Sequence, residues 1–470
     1  MAEPAGSGPS VAPAFLEERR REALEAYERE PVPTWRRSGF WTTHLRGLAL
    51  DELEPRRHEP VESIGELPAV VAGALPELLS PAAAGGEPAG GEDGGRSAIA
   101  EPEAPDSAGL SGLLVQRGAS TVYSWLDRRV AESGVIMTSL ERAVEDHADL
   151  VEAWYMRRLS HEEGKFQAAS AAFWTGGAFV HVPRNVRLER PLQVIYLIDE
   201  PGTAQYAHTL GVVDEHAECA VREYCLAPEI EGQALHAGAF ELYVRPGARV
   251  KLAHLQDWGS GEVYDISTKR VEIARDAHCS WVPVHLGGRL TKQTLDIVTA
   301  ERGSDMRHTG LYFTEGNEHL DLFTTDLHEQ GDTTGDTVWK GALSGESRAS
   351  YEGLIHIARG AQNTHTYLQT HSMLLSPRAK GDAIPSLIVE TDNVSASHGG
   401  TVGEIDEEQV FYMMSRGIPR AEAVRTLVEG YFEEVVQRLD DESLERVVRD
   451  RIAAKLAGAE EQVAAFTAER

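Results

Sequence analysis

The chain has 470 residues, and its 45 Lys and Arg against 75 Asp and Glu give a formal net charge of −30 at neutral pH. So acidic a surface excludes a general binder of nucleic-acid backbones, whose affinity comes from clustered cations, and a peripheral anchor on anionic membranes. No apolar run reaches the ~18–20 residues of a spanning helix, and three cysteines make a poor disulfide framework. The N-terminus, MAEPAGSGPSVAPAFLEERR, lacks the basic and apolar stretches of a signal peptide. The expectation is a cytoplasmic protein with no nucleic-acid and no membrane partner.

In chain order, residues 1–79 form an N-terminal helical and irregular region. FLEERRREALEAYEREP (14–30) reads as a helix, and VPTWRRSGFWTTHL (32–45) as a loop. Residues 80–115 are a low-complexity linker of Gly, Ala, Pro and Glu, which cannot bury enough apolar area to offset chain entropy. Residues 116–183 are expected to be helical. There SLERAVEDHADLVEAW opens with Ser139 as N-cap, and Leu140, Val144, Leu150, Val151 and Trp154 make a loose helical stripe.

Residues 184–402 are a β core. Short alternating stretches such as AFELYVRPGARVKLAHLQ and ASYEGLIHIARGAQNTHTYLQTHSMLL are separated by Gly, Asp, Asn and Pro turns. A sandwich remains an alternative, but some two hundred residues of short rungs favour a β-solenoid whose coils stack. Residues 403–470 return to helix. Asp406 is placed as N-cap, with Gln409 three residues on. Glu407 and Glu408 lie in the first turn, Arg416 in the last, and Gly417 sits at C′ before Pro419. A second helix carries Val424, Leu427, Val428, Tyr431, Phe432, Val435, Val436 and Leu439 on one face. A third, charged helix is expected at the periphery. The fold class is therefore mainly β, a solenoid core flanked by N-terminal and C-terminal helical regions.

Enzyme signatures are sparse. The sequence has no G-x-x-x-x-G-K-[ST] loop, no G-x-S-x-G elbow and no H-E-x-x-H helix. Cys219, Cys225 and Cys279 read as small packing residues. His356, His365 and His371 could converge if their coils stack, and with acids such as Asp382 and Asp392 they would furnish a stand-alone solenoid enzyme. They are as readily surface and turn residues. His398, between Ser397 and Gly399–Gly400, is set where backbone or ligand can approach closely, which makes it a contact point or a metal ligand. The helix around Val410, Phe411, Tyr412 and Met414 is either a cap on the solenoid end or a partner contact.

SMLLSPRAKGDAIPSLIVETDNVSASHGGTVGEIDEEQVFYMMSRGI (372–418) resembles the C-terminal signature of the SufB/SufD family of the SUF iron–sulfur cluster assembly system. The likeness continues in EAVRTLVEGYFEEVVQRL (422–439), ASAAFWTGGAFVHVPRNVRLERPLQVIY (169–196) and VWKGALSGESRASYEGLIHIARGAQNTHTY (338–367), and covers roughly residues 140–440. SHGGTVG is nearer to the SufD pattern S-H-G-A-T-V-G than to the H-E-A-T of SufB.

The resemblance implies a right-handed parallel β-helix and a non-catalytic scaffold that holds no cofactor stably by itself. An iron–sulfur cluster would pass transiently through the assembled complex. It implies pairing with a SufB-type paralogue, or with a second copy, near His398. It further implies docking of a SufC-type ABC ATPase by Glu407, Glu408, Val410, Phe411, Tyr412, Met414, Arg416 and Gly417. Ala396 stands where SufD proteins often carry a cysteine, and the late cysteine of SufB has no counterpart here. That argues against the alternative of a SufB-like homodimer holding a cluster of its own.

Overall fold

The computed structural model describes residues 13–36, 42–75, 109–439 and 441–468. Nine helices occur among them: α1 (Ala14–Arg29), α2 (Ala69–Ala74), α3 (Arg128–Glu132), α4 (Leu140–Asp146), α5 (Ala148–Trp154), α6 (Lys165–Phe173), α7 (Glu407–Ser415), α8 (Arg420–Gln437) and α9 (Glu442–Ala468).

Between α6 and α7 the chain winds into two parallel sheets that face each other across a shared interior. In the ten-stranded sheet the parallel rungs run from Leu192–Leu197 to Ser395–Glu404, eight in all. The second sheet has eleven strands and ends at Lys380–Val389. Partners in adjacent coils lie 26 residues apart at Tyr264 and Leu290 and 32 apart at Arg348 and Lys380. This is a β-solenoid, as the unbroken run of short strands predicts.

Alternation along each strand sends one set of side chains inward, and stacking in register turns that set into columns. One column runs Leu252, Trp281, His308, Thr337, Leu368 and His398. A second runs Cys219, Val250, Cys279, Met306, Gly335, Thr366 and Ala396. The three cysteines are thus buried packing residues, and burial pushes the Cys219 thiol up to about 12. Turns are held by residues with positive φ, among them Asp332 (57°), Asn363 (61°) and Asn393 (60°), side chains that tolerate the left-handed region.

The two ends differ. At the N-terminal end, Gly112–Arg117 and Ser120–Leu126 form an antiparallel hairpin on the first sheet, and Ile136–Thr138 runs antiparallel on the second. Three sequence expectations change here. The stretch expected as linker up to residue 115 ends in a strand whose Leu113, Leu114 and Val115 are buried, while 80–108 lie outside the described residues. The region expected to be helical from 116 holds the hairpin as well as α3–α6. The loop at 32–45 contains a strand pair, Thr34–Arg36 with Thr42–His44. Ser139 does cap α4, accepting from the Arg142 N–H at 3.2 Å.

The C-terminal helices lie against the first sheet, where Val424, Val428, Phe432, Val435 and Val436 of α8 join an apolar cluster with Val284, Leu311, Phe313 and Ala342. Helix α9 is not peripheral. Its Leu444, Val447, Val448, Ile452 and Leu456 are buried in the same cluster, and Lys455 bridges Glu315 (2.8 Å) and Glu318 (3.2 Å) of a solenoid turn.

Candidate functional site

The terminal coil is where the stacking stops. Among the described residues, Lys380–Val389 and Ser395–Glu404 each pair on one side only, and both edges are open. His398 shows the effect. Its column mates Leu368, Thr337, His308 and Trp281 are each fully buried, whereas His398 is exposed because no rung follows. Across the interior, Gly400 lies against Ala383 and Pro385, and Gly381 against Val402. Leu387, Ile388, Val389, Val402 and Tyr367 are exposed at this end, an apolar fringe of the kind that marks a contact surface.

Only two residues, Ile405 and Asp406, separate the last strand from α7. Ile405 is buried, and the Asp406 carboxylate accepts from the Glu408 and Gln409 N–H groups at 2.9 and 3.3 Å. Helix α7 closes at Ser415, with Arg416 as its C-cap residue and Gly417 at φ 89°. It presents its large side chains outward. Phe411 is 72% exposed, Tyr412 59% and Met414 42%. Val410, grouped in the sequence with the docking residues, is fully buried and fastens the helix to α8 instead. Glu407 receives both contacts of Arg420, each at 2.8 Å, and Arg416 lies over the Tyr412 ring. Glu408 is exposed beside them.

The other late histidines do not assemble into one site. His356 belongs to the second sheet and pairs with Glu390 at 3.0 Å. His365 and His371 lie near opposite ends of one strand in the first sheet, about 20 Å apart at the rise of extended chain. The outward-facing His371 takes a hydrogen bond from Thr401 at 2.7 Å. Asp382 is half-buried, with its carboxyl pushed up by burial, and Asp392 is exposed.

Among the described residues, one group of three donors lies close enough to hold a metal ion: His58, Asp199 and Glu200. Both carboxylates are already taken by arginine, Asp199 by Arg117 at 2.9 Å and Glu200 by Arg117 at 3.3 Å. The cluster is a salt-bridge knot.

What the sequence did not reveal is the polar interior. The Glu223 carboxylate accepts from Lys269 and Thr209, and His254 Nε2 lies 3.4 Å away. Trp281 donates its indole N–H to His254 Nδ1 at 2.7 Å, which leaves the proton of the neutral ring on Nε2, facing Glu223. Burial, with Lys269 nearby, drives the His254 pKa far down. The signal available was a charged residue on each of two strands, Lys269 in STKRV and Glu223 in VREYC, at a position where the flanking alternation calls for an apolar side chain.

The fold and the open coil define a class: a parallel β-solenoid scaffold with a helical module beside its unpaired end. Residues 196–431 match the SufBD core domain of the SUF system of FeS cluster assembly, and residues 120–194 match the SufBD protein N-terminal region. The chain belongs to the SufBD family of iron–sulfur cluster assembly proteins. It is similar to iron–sulfur cluster assembly SufBD family proteins of Staphylococcus epidermidis and Staphylococcus haemolyticus, 29% identical over 330 residues, covering 70% of this chain and 71% of each relative. A Staphylococcus aureus relative is 28% identical over the same span. No helix among the described residues is long and apolar enough to cross a membrane.

Proposed function

We propose that this chain is the SufD-like scaffold subunit of a cytoplasmic SUF assembly complex and performs no chemistry of its own. Its open terminal coil pairs with a SufB-type paralogue or a second copy, and the outward face of α7 docks a SufC-type ABC ATPase. The observation that carries this reading is the junction itself. An unpaired edge bearing the exposed His398 runs, through two residues, into a helix that exposes Phe411, Tyr412 and Met414. An unpaired strand edge is a template for pairing with another chain, and adaptable Met and aromatic side chains suit a protein contact. The iron–sulfur cluster is cargo, made at the paired edge, with His398 as the one ligand this chain offers. The buried thiols support that division of labour, since Cys219, Cys225 and Cys279 are held protonated by burial and a thiolate is what binds iron.

The test is co-purification with a candidate SufC-type ATPase. A Phe411→Asp, Met414→Asp double variant places two carboxylates in the contact, and burying them there costs several kcal/mol. Both side chains face solvent in the free chain, so the variant folds. Wild type retaining the ATPase while the folded variant releases it supports the docking helix. Equal retention by both assigns the contact elsewhere.

A further inference from the structure

The terminal strand and the docking helices are joined by a second route besides the chain itself. Tyr431 of α8 donates its hydroxyl to the backbone carbonyl of His371 at 2.6 Å. The His371 ring lies 2.7 Å from the Thr401 hydroxyl through Nδ1 and 3.4 Å from the Gln369 side-chain oxygen through Nε2. An amide oxygen only accepts, so Nε2 carries the proton and Nδ1 accepts from Thr401. Thr401 lies on the terminal strand, three residues beyond His398. On the α8 side, the Lys340 ammonium holds the Tyr431 carbonyl at 2.9 Å and the Glu434 carboxylate at 2.8 Å. At the other end of α8, Arg420 grips Glu407 in the first turn of α7.

We infer that Tyr431 and His371 are positioning residues, a polar strut that ties the exposed terminal strand to the helix pair and delivers a displacement of α7 to the strand that carries His398. The inference rests on the docking role proposed for α7, but the strut itself can be judged without an ATPase. The terminal strand is otherwise held by its ladder to the preceding rung and by inward contacts at Gly400 and Val402, and its outward face is sparsely contacted. Gly399 and Gly403 have no neighbouring atom near the position a Cβ would take, and the outer edge of the strand is unpaired. A side-chain bond to Thr401 therefore adds to the ladder a tie on the outward face of this strand.

The experiment is amide hydrogen exchange on the full chain, alone and with a SufC-type ATPase and nucleotide, for wild type, Tyr431→Phe and Thr401→Val. Each substitution removes one hydroxyl and keeps the shape of the side chain. In the free chain both variants should raise exchange across 395–404 about fivefold, the effect of one lost hydrogen bond, while exchange in α8 stays unchanged. With ATPase bound at unaltered affinity, wild type should show a change of exchange across 395–404 that both variants lack. Unchanged exchange of the free variants overturns the strut. So does a variant strand that still responds fully to the ATPase. Failure of wild type to bind the ATPase removes the docking proposal, and the free-chain comparison then decides the strut by itself.

Discussion

Glu241 shows how one residue fixes a piece of this fold. Its buried carboxylate accepts from the Met156 and Arg158 N–H groups (2.7 and 3.2 Å), the Tyr243 hydroxyl (2.6 Å) and His208 Nε2 (3.1 Å). Burial alone would raise its pKa, but these bonds outweigh burial and leave it lowered. They also hold Met156 at φ 53°, a conformation a side chain rarely adopts unaided. Glu241→Ala strands the Met156, Tyr243 and His208 donors, while the Arg158 N–H keeps the Tyr243 oxygen at 3.1 Å, and should cost about 3–5 kcal/mol, read as a lower chemical-unfolding midpoint. The interior histidines make a second prediction. Burial pushes His319 and His328 down to about 4 and His285 to about 3. The unfolded chain, with pKa about 6.5, takes up these protons first as pH falls. Their contribution is complete above that value and is lost as pH falls from 6.5 to about 4 for His319 and His328 and to about 3 for His285. His328→Gln should flatten the fall of stability over that window by about 1.4 kcal/mol per pH unit. None of this was legible in the sequence. Alternation assigns a residue to a face, but it does not say that Glu241 meets a turn arriving from 85 residues upstream. The exposure of His398 was legible because its setting, small residues at a change of pattern, is local.

Helices α7 and α8 were read almost as they stand, since capping and amphipathic spacing are local signals. Helix α9 was misplaced for a related reason. Its Arg and Glu content masks a stripe at Leu444, Val447, Val448, Ile452 and Leu456, and two of its cations, Arg451 and Lys455, meet solenoid acids, Asp257 at 2.9 Å and Glu315 at 2.8 Å. Phe432, fully buried against Phe313, is the keystone of the helical module. Phe432→Ala should cost about 3–5 kcal/mol and raise amide exchange throughout α7–α9 while the central coils stay protected. A parallel rise in the central strands would mean that the helices and solenoid unfold as one unit.

For the whole molecule, strand content and solenoid class followed from composition and punctuation, but register did not. Turns of unequal length spread the coil repeat over 26 to 32 residues, so no fixed period survives in the sequence even though the strands stack without a slip from Thr334 to Glu404. The asymmetry of the ends was also hidden, since the antiparallel cap uses residues that read as linker and helix. Because one end is closed and the other open, charges placed at the open end should act on assembly alone. Leu387→Lys with Val402→Lys should leave thermal unfolding within a few degrees of wild type and abolish the pairing proposed for this end. Sedimentation of the chain with itself, or with a SufB-type partner, reads the loss directly.

The columns have a further consequence for how such a protein can vary. Each coil adds one strand spacing, about 4.8 Å, to the distance between the hairpin cap and the open edge. The faces a coil presents to its neighbours are those it receives. Inserting or deleting a whole coil from the middle would therefore change the length of the molecule in fixed steps and leave both ends chemically intact. The solenoid is in this sense a ruler, and the separation of its two ends is set by a count of coils rather than by any residue at either of them.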